Sequence, residues 1–374
     1  TSNEMKAATQ WGQFEKITSA KYFWDLLISP KKYGFWPRNG LVLFLGGDQF
    51  WSVLLSARLN YLHITYAEWK ARWPFWNNRI LAMSPEVIKS LPNRMKKRCS
   101  VVGDLMADLK TFSKKERSLP KGLWVALMPG SKKAKLKIGV PFFLDVADKI
   151  SKVIPDCNFL IPLAPTTNIQ ELKHYSSSSN RISKEYESGI KTILDPTKYQ
   201  SRRILVTNNN TRVHLEEDHP AHTELIQCDL ALTTIGANTA ELGALAVPMI
   251  VILPTQHLEV MQAWDGLLGI VGRVPGLKWC LGILITIWRL KNRGFLAWPN
   301  ISAKRMIVPE RIGKITPSEI AKEACEWLIS PSRLEGQRSD LKSLRGKSGA
   351  TKKISKEILD LLKLKKFIDL ESIK

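Results

Sequence analysis

Residues 228–253 read CDLALTTIGANTAELGALAVPMIVIL, and the fold of the chain is inferred outward from this stretch. An apolar run ends at Thr234, small residues surround Gly236, and a second apolar run follows a segment with helical spacing. The pattern predicts a strand, a turn, a helix and a second strand. Glu241 lies about a turn and a half into the predicted helix. A carboxylate in such an apolar stretch raises the question of what it binds.

The same order of elements recurs in two other regions. NGLVLFLGGDQF at 39–50 precedes a helical pattern and the run YLHITYAEW, and KGLWVALMPGSKKAK at 121–135 precedes a helical pattern and the run CNFLIPLAP. Strands that alternate with helices predict parallel sheets covered by helices, since parallel strands need crossover connections. We therefore predict an α/β protein with two Rossmann-like, doubly wound domains facing a cleft. The predicted boundaries are 1–115, 116–332 and a basic C-terminal tail or helix at 333–374.

Composition limits the classes of partner. The chain has 374 residues, 44% of them hydrophobic, with a net charge of +22 that indicates an anionic partner. No zinc finger, RRM signature or basic heptad array is present, so a membrane surface or a phosphorylated substrate is favoured over nucleic acid. The 5 cysteines are scattered and no signal peptide is visible, which predicts a cytoplasmic protein without disulfides.

Turns after predicted strands are the candidate binding sites, because ligands of parallel sheets bind beyond the carboxyl ends of the strands. Gly130 and Ser131 follow one strand, and their backbone N–H groups and the charge of Lys132 suit a phosphate. The alternative is an ordinary Pro-Gly turn. Thr234 and Gly236 form the second turn.

Glu241, in the helix after this second turn, has the chemistry to accept the two hydroxyls of a ribose; a solvated helix residue is the alternative. The third candidate stretch, WPNISAKRMIVPERI at 298–312, carries Asn300, Arg305 and Glu310.

Four stretches together resemble a known family. MPGSK at 128–132, the stretch at 233–253, that at 298–312 and VVGDLMADL at 101–109 are similar to motifs of lipid-A-disaccharide synthases. The resemblance covers about residues 40–330 and is closest to the divergent members of cyanobacteria and plastids. It implies a GT-B glycosyltransferase that uses a UDP-linked nucleotide sugar and a lipid acceptor, and that needs neither a metal nor another cofactor.

Carried over by position, the resemblance implies roles for individual residues. Gly130, Ser131 and Lys132 would contact the diphosphate, and Glu241 would hold the ribose beside Thr234 and Gly236. Asn300 and Glu310 would lie around the donor sugar.

The sequence also departs from the family. Lys132 stands where an arginine is usual, Ile235 replaces a serine and Asp104 replaces a histidine. The Gly-rich loop with which such enzymes begin is absent, so either the first domain is truncated or its half of the site has been lost.

Two carboxylates are candidates for the catalytic base of an inverting transfer. Asp48 follows the glycines of LGGDQF, and Glu68 follows the next predicted strand. A helix N-cap is the alternative for Asp48. His219 and His222 have i, i+3 spacing, but the proline between them and the lack of a third ligand make a zinc site unfavourable.

Residues 264–298 form an apolar segment with tryptophans at both ends of its uncharged core, Trp279 to Trp288. The core is too short to span a bilayer and predicts a segment at a membrane interface, or alternatively a pair of buried helices. The resulting hypothesis is a peripheral membrane glycosyltransferase. Its alternatives are an inactive binding or scaffold protein of the same fold and a basic nucleic-acid-binding protein.

Overall fold

The computed structural model describes residues 5, 8–9, 12–33, 36–112, 119–165, 167–177, 180–197, 201–256 and 294–364. The chain divides into two compact units. Unit 1 comprises residues 1–110 and 346–374, and unit 2 comprises residues 111–345. The boundary differs by a few residues from the predicted 115/116. The predicted separate tail at 333–374 is instead shared between the two units.

Unit 1 is built on a parallel sheet with strand order β1-β2-β3-β4. Its strands are β1 (Leu41–Phe44), β2 (Leu62–Ala67), β3 (Arg79–Ala82) and β4 (Cys99–Val101). Its α-helices are α1 (Phe23–Ile28), α2 (Gln49–Leu59), α3 (Pro85–Lys89), α4 (Asn93–Lys96) and, from the end of the chain, α12 (Ala350–Leu364). Short 3-10 helices cover Ala20–Tyr22, Pro30–Tyr33, Pro74–Trp76 and Leu105–Phe112.

Helix α12 belongs to unit 1 because of where its apolar side chains go. Ile354 and Leu361, both buried, pack with Ile64 and Tyr66 of β2 in one hydrophobic cluster. At the start of the helix, the Asp108 carboxylate accepts hydrogen bonds from the Gly349 and Thr351 backbone N–H groups, the latter at 2.8 Å. The basic composition of residues 333–374 did not predict this packing.

Unit 2 contains the remaining elements. Its strands are β5 (Trp124–Met128), β6 (Asn158–Pro162), β7 (Ile190–Leu194), β8 (Arg203–Thr207), β9 (Arg212–Glu216), β10 (Leu230–Thr234), β11 (Met249–Pro254) and β12 (Glu310–Gly313). Its helices are α5 (Lys133–Val153), α6 (Ile169–Tyr175), α7 (His222–Leu225), α8 (Ala237–Leu245), α9 (Trp298–Ala303), α10 (Pro317–Leu328) and α11 (Pro331–Leu344), with a 3-10 helix at Arg181–Glu185.

These eight strands form one sheet in the order β12-β11-β10-β5-β6-β9-β8-β7. Strands β12 to β9 pair in parallel, whereas β8 pairs antiparallel with both of its neighbours. The chain winds outward from β5 first toward β6 and then, from β10, toward the other edge. Strand order therefore reverses between β5 and β10, which is the position where doubly wound sheets bind ligands.

Burial explains why these segments form the sheet. All five residues of β5, all five of β10 and all six of β11 are buried, as expected of parallel strands covered on both faces. Helices α5 and α10 pack against each other, while α8, α9 and α11 form a second group. The prediction of two Rossmann-like α/β units is confirmed.

The predicted interfacial core, Trp279 to Trp288, lies outside the described residues, as does most of segment 264–298. Within the described ranges, no helix combines the length and the apolar character that a membrane span requires.

Candidate functional site

The reversal of strand order brings two predicted turns together. Strands β5 and β10 are parallel neighbours, with Met128 opposite Thr233, so their carboxyl ends lie side by side. Each is followed directly by a helix whose N-cap residue, Lys132 for α5 and Gly236 for α8, makes no side-chain cap. Two helix N-termini without side-chain caps thus begin beside each other, an arrangement that favours an anion.

The turn after β5 depends on glycine. Gly130 has a φ of +103°, and a Cβ there would lie 3.0 Å from Lys135 Cδ and 3.4 Å from Thr234 Oγ1. Gly139, on the second turn of α5, has a different role, because a Cβ there would lie 2.8 Å from Pro129 Cβ. The sequence identified Gly130 but not Gly139, which allows α5 to pack closely against the turn.

The turn after β10 carries a buried hydroxyl without a partner. Thr234 is only 7% exposed, and its Oγ1 has no hydrogen-bond partner among the described residues. Gly236 follows at φ +144°, a conformation open to glycine. A buried hydroxyl normally finds a partner, so the Thr234 side chain is suited to a ligand atom that enters between the two turns.

Lys135 joins the two turns and was not singled out from the sequence. Its Nζ donates to the Ile235 carbonyl oxygen at 2.5 Å and lies 3.1 Å from where a Cβ on Gly236 would be. Lys132, the predicted diphosphate contact, is exposed at the N-cap. The half-buried Lys135 ammonium therefore carries positive charge to the point where the turns meet.

A pocket of about 320 Å³, open to solvent, adjoins this point. Lys135, Gly139 and Thr234 line it together with the end of β11. Ser131, the remaining predicted phosphate contact, is exposed in the turn between β5 and α5.

Glu241 is not simply solvated. Its Oε1 accepts a hydrogen bond from His222 Nε2 at 3.1 Å, and its side chain is 26% exposed. His222 is 7% exposed, and its Nδ1 has no partner among the described residues. Because a carboxylate can only accept, the ring nitrogen that carries a proton in this contact is Nε2. This leaves Glu241 with a fixed orientation and a second oxygen, Oε2.

The HPAH segment shows no metal site in the part of the chain that the structure describes. The pKa of His219 is lowered by burial, and the nearby carboxylates of Glu216, Asp218 and Glu241 offset only part of this shift.

Asn300 has a structural role in this structure, and its contact with a donor sugar stays a prediction. The side chain is fully buried, and its amide donates to Val308 O and to Glu310 Oε1, both at 2.8 Å. Its Oδ1 accepts from the Ile307 and Val308 N–H groups. All of its hydrogen-bonding positions are used, so a sugar could contact it only if this network broke.

Glu310 is committed largely to the same network. Its carboxylate accepts hydrogen bonds from the Leu296 and Ala297 N–H groups at 2.8–3.0 Å, just before α9, as well as from Asn300. The third predicted turn therefore fixes the start of α9. Its role toward a sugar stays a prediction.

The candidate bases follow adjacent parallel strands of unit 1. Asp48 is the N-cap of α2 and accepts from the Phe50 N–H at 3.1 Å, as the alternative interpretation predicted. Glu68 follows β2 and is exposed; surrounding atoms and the charge of Asp104 raise its pKa. Gln49 connects both loops, because its side chain bonds Lys70 O at 2.9 Å and Arg72 N at 2.6 Å.

Asp104, at the position where the resembling family has histidine, makes stability depend on pH. Burial raises its pKa and the Met106 N–H lowers it, with a net upward shift. A raised pKa in the folded state means that stability falls as the pH rises through the interval between the unfolded and folded pKa values. We therefore expect Asp104→Asn to gain stability relative to wild type as the pH rises above about 4, the ordinary pKa of an aspartate, measured by urea unfolding.

Asp108→Asn is the matched control with the opposite sign. Burial raises the Asp108 pKa, but hydrogen bonds from Thr351 and Gly349 outweigh this and lower it. Because the folded pKa of Asp108 lies below the unfolded one, this variant should lose stability relative to wild type as the pH rises toward about 4, with no further relative change above that pH. If the free energy of unfolding of Asp104→Asn and of wild type depended on pH in the same way, the raised pKa of Asp104 would be contradicted.

No protein-family model matches the chain. A lipid-A-disaccharide synthase from Gloeothece citriformis is 27% identical over 265 residues, which are 69% of this chain and 55% of that protein. Another from Anaeromyxobacter sp. strain K is 24% identical over 243 residues, 64% of this chain and 49% of that protein. The chain thus spans about half the length of these curated relatives. The predicted similarity to this group is confirmed, whereas the cyanobacterial or plastid placement stays a prediction.

A solved structure, S. aureus MnaA with UDP, matches over 93% of this chain and 83% of that chain. The TM-score is 0.52 at 12% sequence identity. At this identity the similarity supports the shared fold of two Rossmann-like units.

Proposed function

We propose that this chain is a glycosyltransferase that transfers a sugar from a UDP-linked donor to a lipid-like acceptor at a membrane surface. The observation that carries the proposal is the junction of the two turns after β5 and β10, with Lys135 between them. The curated relatives named lipid-A-disaccharide synthase support the reaction type. The S. aureus structure with UDP supports a uridine nucleotide as the probe.

The donor would bind through its diphosphate at this junction. The N-termini of α5 and α8, the Lys135 ammonium and the Thr234 hydroxyl offer partial or full positive charge and a hydrogen-bond donor. In glycosyl transfer the leaving diphosphate gains charge as the bond to the sugar breaks. Preorganised donors stabilise that charge without a metal ion.

The acceptor hydroxyl would lose its proton to a carboxylate of unit 1. Glu68 has a raised pKa, which makes it a stronger base than an ordinary glutamate. Asp48 remains the second candidate, although one of its oxygens caps α2. The transfer forms the new glycosidic bond, breaks the bond to the diphosphate and places the proton on the base.

Calorimetric titration of the chain with UDP and with uridine tests the donor site. Binding of UDP that clearly exceeds binding of uridine is expected, because the turns would supply the diphosphate contacts. Absence of UDP binding at millimolar concentration would contradict the proposal. Binding without any turnover of UDP-sugars would instead favour a scaffold of the same fold.

His222 should act as a positioning residue for Glu241, which would accept the ribose hydroxyls. We expect His222→Leu to weaken UDP binding by about 0.5–1.5 kcal/mol, the net value of one hydrogen bond. Binding of 2′,3′-dideoxyuridine diphosphate should not change, since that ligand lacks the hydroxyls. His222→Gln, which keeps a donor, is the control. An equal loss for both ligands would mean that His222 acts only on the fold.

A further inference from the structure

Among the residues that the structure describes, the exposed aromatic side chains are concentrated in unit 1. In the described part of the chain, the large aromatic residues that are exposed all fall between positions 14 and 76, with exposed fractions of 40–57%. They are Phe14, Tyr22, Trp24, Trp69, Trp73, Phe75 and Trp76. Single exposed apolar residues are ordinary on protein surfaces, whereas a cluster of them marks an interaction site.

Ring contacts join part of this set into one surface. The ring centroids of Trp24 and Trp51 are 5.1 Å apart, those of Phe50 and Trp73 5.4 Å, and those of Trp73 and Trp76 5.8 Å. Phe50 and Trp51 are also in contact at 5.1 Å. We call these five residues the aromatic patch. It extends across α1, the start of α2 and the segment after β2.

The backbone beneath the patch is held by side-chain hydrogen bonds. Gln49, 8% exposed, fastens the start of α2 to the segment after β2. Arg58, near the end of α2, donates to the carbonyl oxygens of Leu27 and Ile28 at the end of α1. The patch is therefore a preformed surface.

Three basic side chains lie in or beside the segment that carries Trp73 and Trp76. Lys70, Arg72 and Arg94 are exposed, and none of them makes a salt bridge among the described residues. The Arg94 guanidinium lies 5.2 Å from the ring centre of Phe75. With the chain's net charge of +22, this rim is suited to an anionic surface.

We propose that the aromatic patch is the surface with which unit 1 docks on an anionic lipid bilayer. Tryptophan favours the boundary between headgroups and acyl chains, and a basic rim adds attraction to anionic lipid. Ile28, 66% exposed and four residues after Trp24, extends the apolar face of α1. A second copy of the chain is disfavoured because two strongly cationic surfaces repel each other.

Single-stranded nucleic acid also combines with aromatic and basic residues, but it stacks its bases on open ring faces. Here Trp24 meets Trp51 edge to face, at an interplanar angle of 85°, and Trp73 meets Trp76 at 73°. The aromatic rings thus pack against one another, and the aliphatic Ile28 adds nothing to base stacking. A bilayer uses the whole apolar surface.

The docking surface rests on the proposed function for the identity of the acceptor as a lipid. The patch begins directly after both candidate bases: Asp48 precedes the Gln49–Trp51 segment, and Glu68 precedes Trp69. A bilayer against the patch would therefore present a headgroup hydroxyl near the carboxyl ends of β1 and β2.

Vesicle flotation tests the docking surface. We compare vesicles of phosphatidylcholine with about one third phosphatidylglycerol with vesicles of phosphatidylcholine alone, at low and high salt. Trp24→Ser combined with Trp76→Ser should weaken binding to the anionic vesicles about tenfold or more, including the fraction that survives high salt. Met306→Ser with Ile329→Ser, which removes exposed apolar side chains of unit 2, is the matched control and should bind as wild type does.

A second variant tests the proposal even if the Trp24/Trp76 variant fails to fold. Lys70→Gln with Arg72→Gln leaves the rings in place and should weaken binding at low salt while leaving the high-salt fraction unchanged. Wild-type binding by the Trp24/Trp76 variant, or no vesicle binding by wild type, would overturn the proposal. The proposal would also be overturned if high salt abolished vesicle binding and a single-stranded oligonucleotide displaced the protein from the vesicles. UDP binding by the same proteins is measured separately from vesicle binding. A wild-type protein that binds vesicles but not UDP would count against the proposed function alone.

Discussion

Lys135→Met is expected to weaken UDP binding by about 1.5–3 kcal/mol, the range for hydrogen bonds to charged groups. The loss corresponds to about 10-fold to 150-fold in the dissociation constant. The reason is that Lys135 Nζ lies at the junction of the two turns, where the diphosphate would bind. Methionine keeps most of the length of the side chain and removes its charge. Calorimetry with UDP and with uridine measures the effect, and uridine binding should stay unchanged.

Lys132→Met is the control, and it also decides between two assignments. The family resemblance places Lys132 at the diphosphate, whereas the geometry favours Lys135, because Lys132 is exposed at the N-cap. A larger loss for Lys132→Met than for Lys135→Met would restore the first assignment. Lys135→Arg should recover part of the affinity, since it keeps the charge but not the shape. A parallel loss of uridine binding would show that Lys135→Met damages the fold.

Asn300→Ala is expected to lower the free energy of unfolding by about 3–5 kcal/mol, because it leaves several buried polar groups unpaired. The Ile307 and Val308 N–H groups would lose their acceptor, and the Val308 carbonyl would lose its donor. Urea unfolding at fixed pH measures the loss. The effect of this change on UDP binding by the folded fraction should be small.

Ile301→Ala, at the neighbouring and exposed position of α9, is the matched control and should have little effect on stability. If Asn300→Ala unfolded no more easily than this control but bound UDP-sugars more weakly, the original interpretation of Asn300 as a sugar contact would be correct. The two outcomes separate a structural side chain from a ligand.

The sequence was informative where a local pattern and a parallel sheet together determine position. The runs that end at Met128 and Thr234 became strands, as predicted, and because these strands are neighbours, two turns about 100 residues apart in sequence lie together. Periodicity alone predicted the helix that became α5 and the strand that became β6. These features depend on residue pattern and on the few ways in which parallel strands connect.

Features that depend on long-range partners could not be predicted from the sequence. Nothing local distinguishes Lys135 from Lys132 and Lys133; the choice follows from the approach of Ile235 after the sheet has formed. The family resemblance implied a sugar contact for Asn300, whereas in the structure its amide group donates to Glu310 and to the Val308 carbonyl oxygen. His222 was considered only as a metal ligand, since its partner Glu241 lies on another helix.

Helix α12 has a consequence for how the protein is made. During synthesis the strands of unit 1 leave the ribosome before those of unit 2, but the side chains of Ile354 and Leu361 that complete their core leave after them. Residues 111–345, by contrast, are continuous in sequence and hold all the strands of unit 2. The order of emergence is thus the reverse of the order in which the units can be completed. Residues 1–110 must wait, with part of their apolar surface open, until helix α12 has been made.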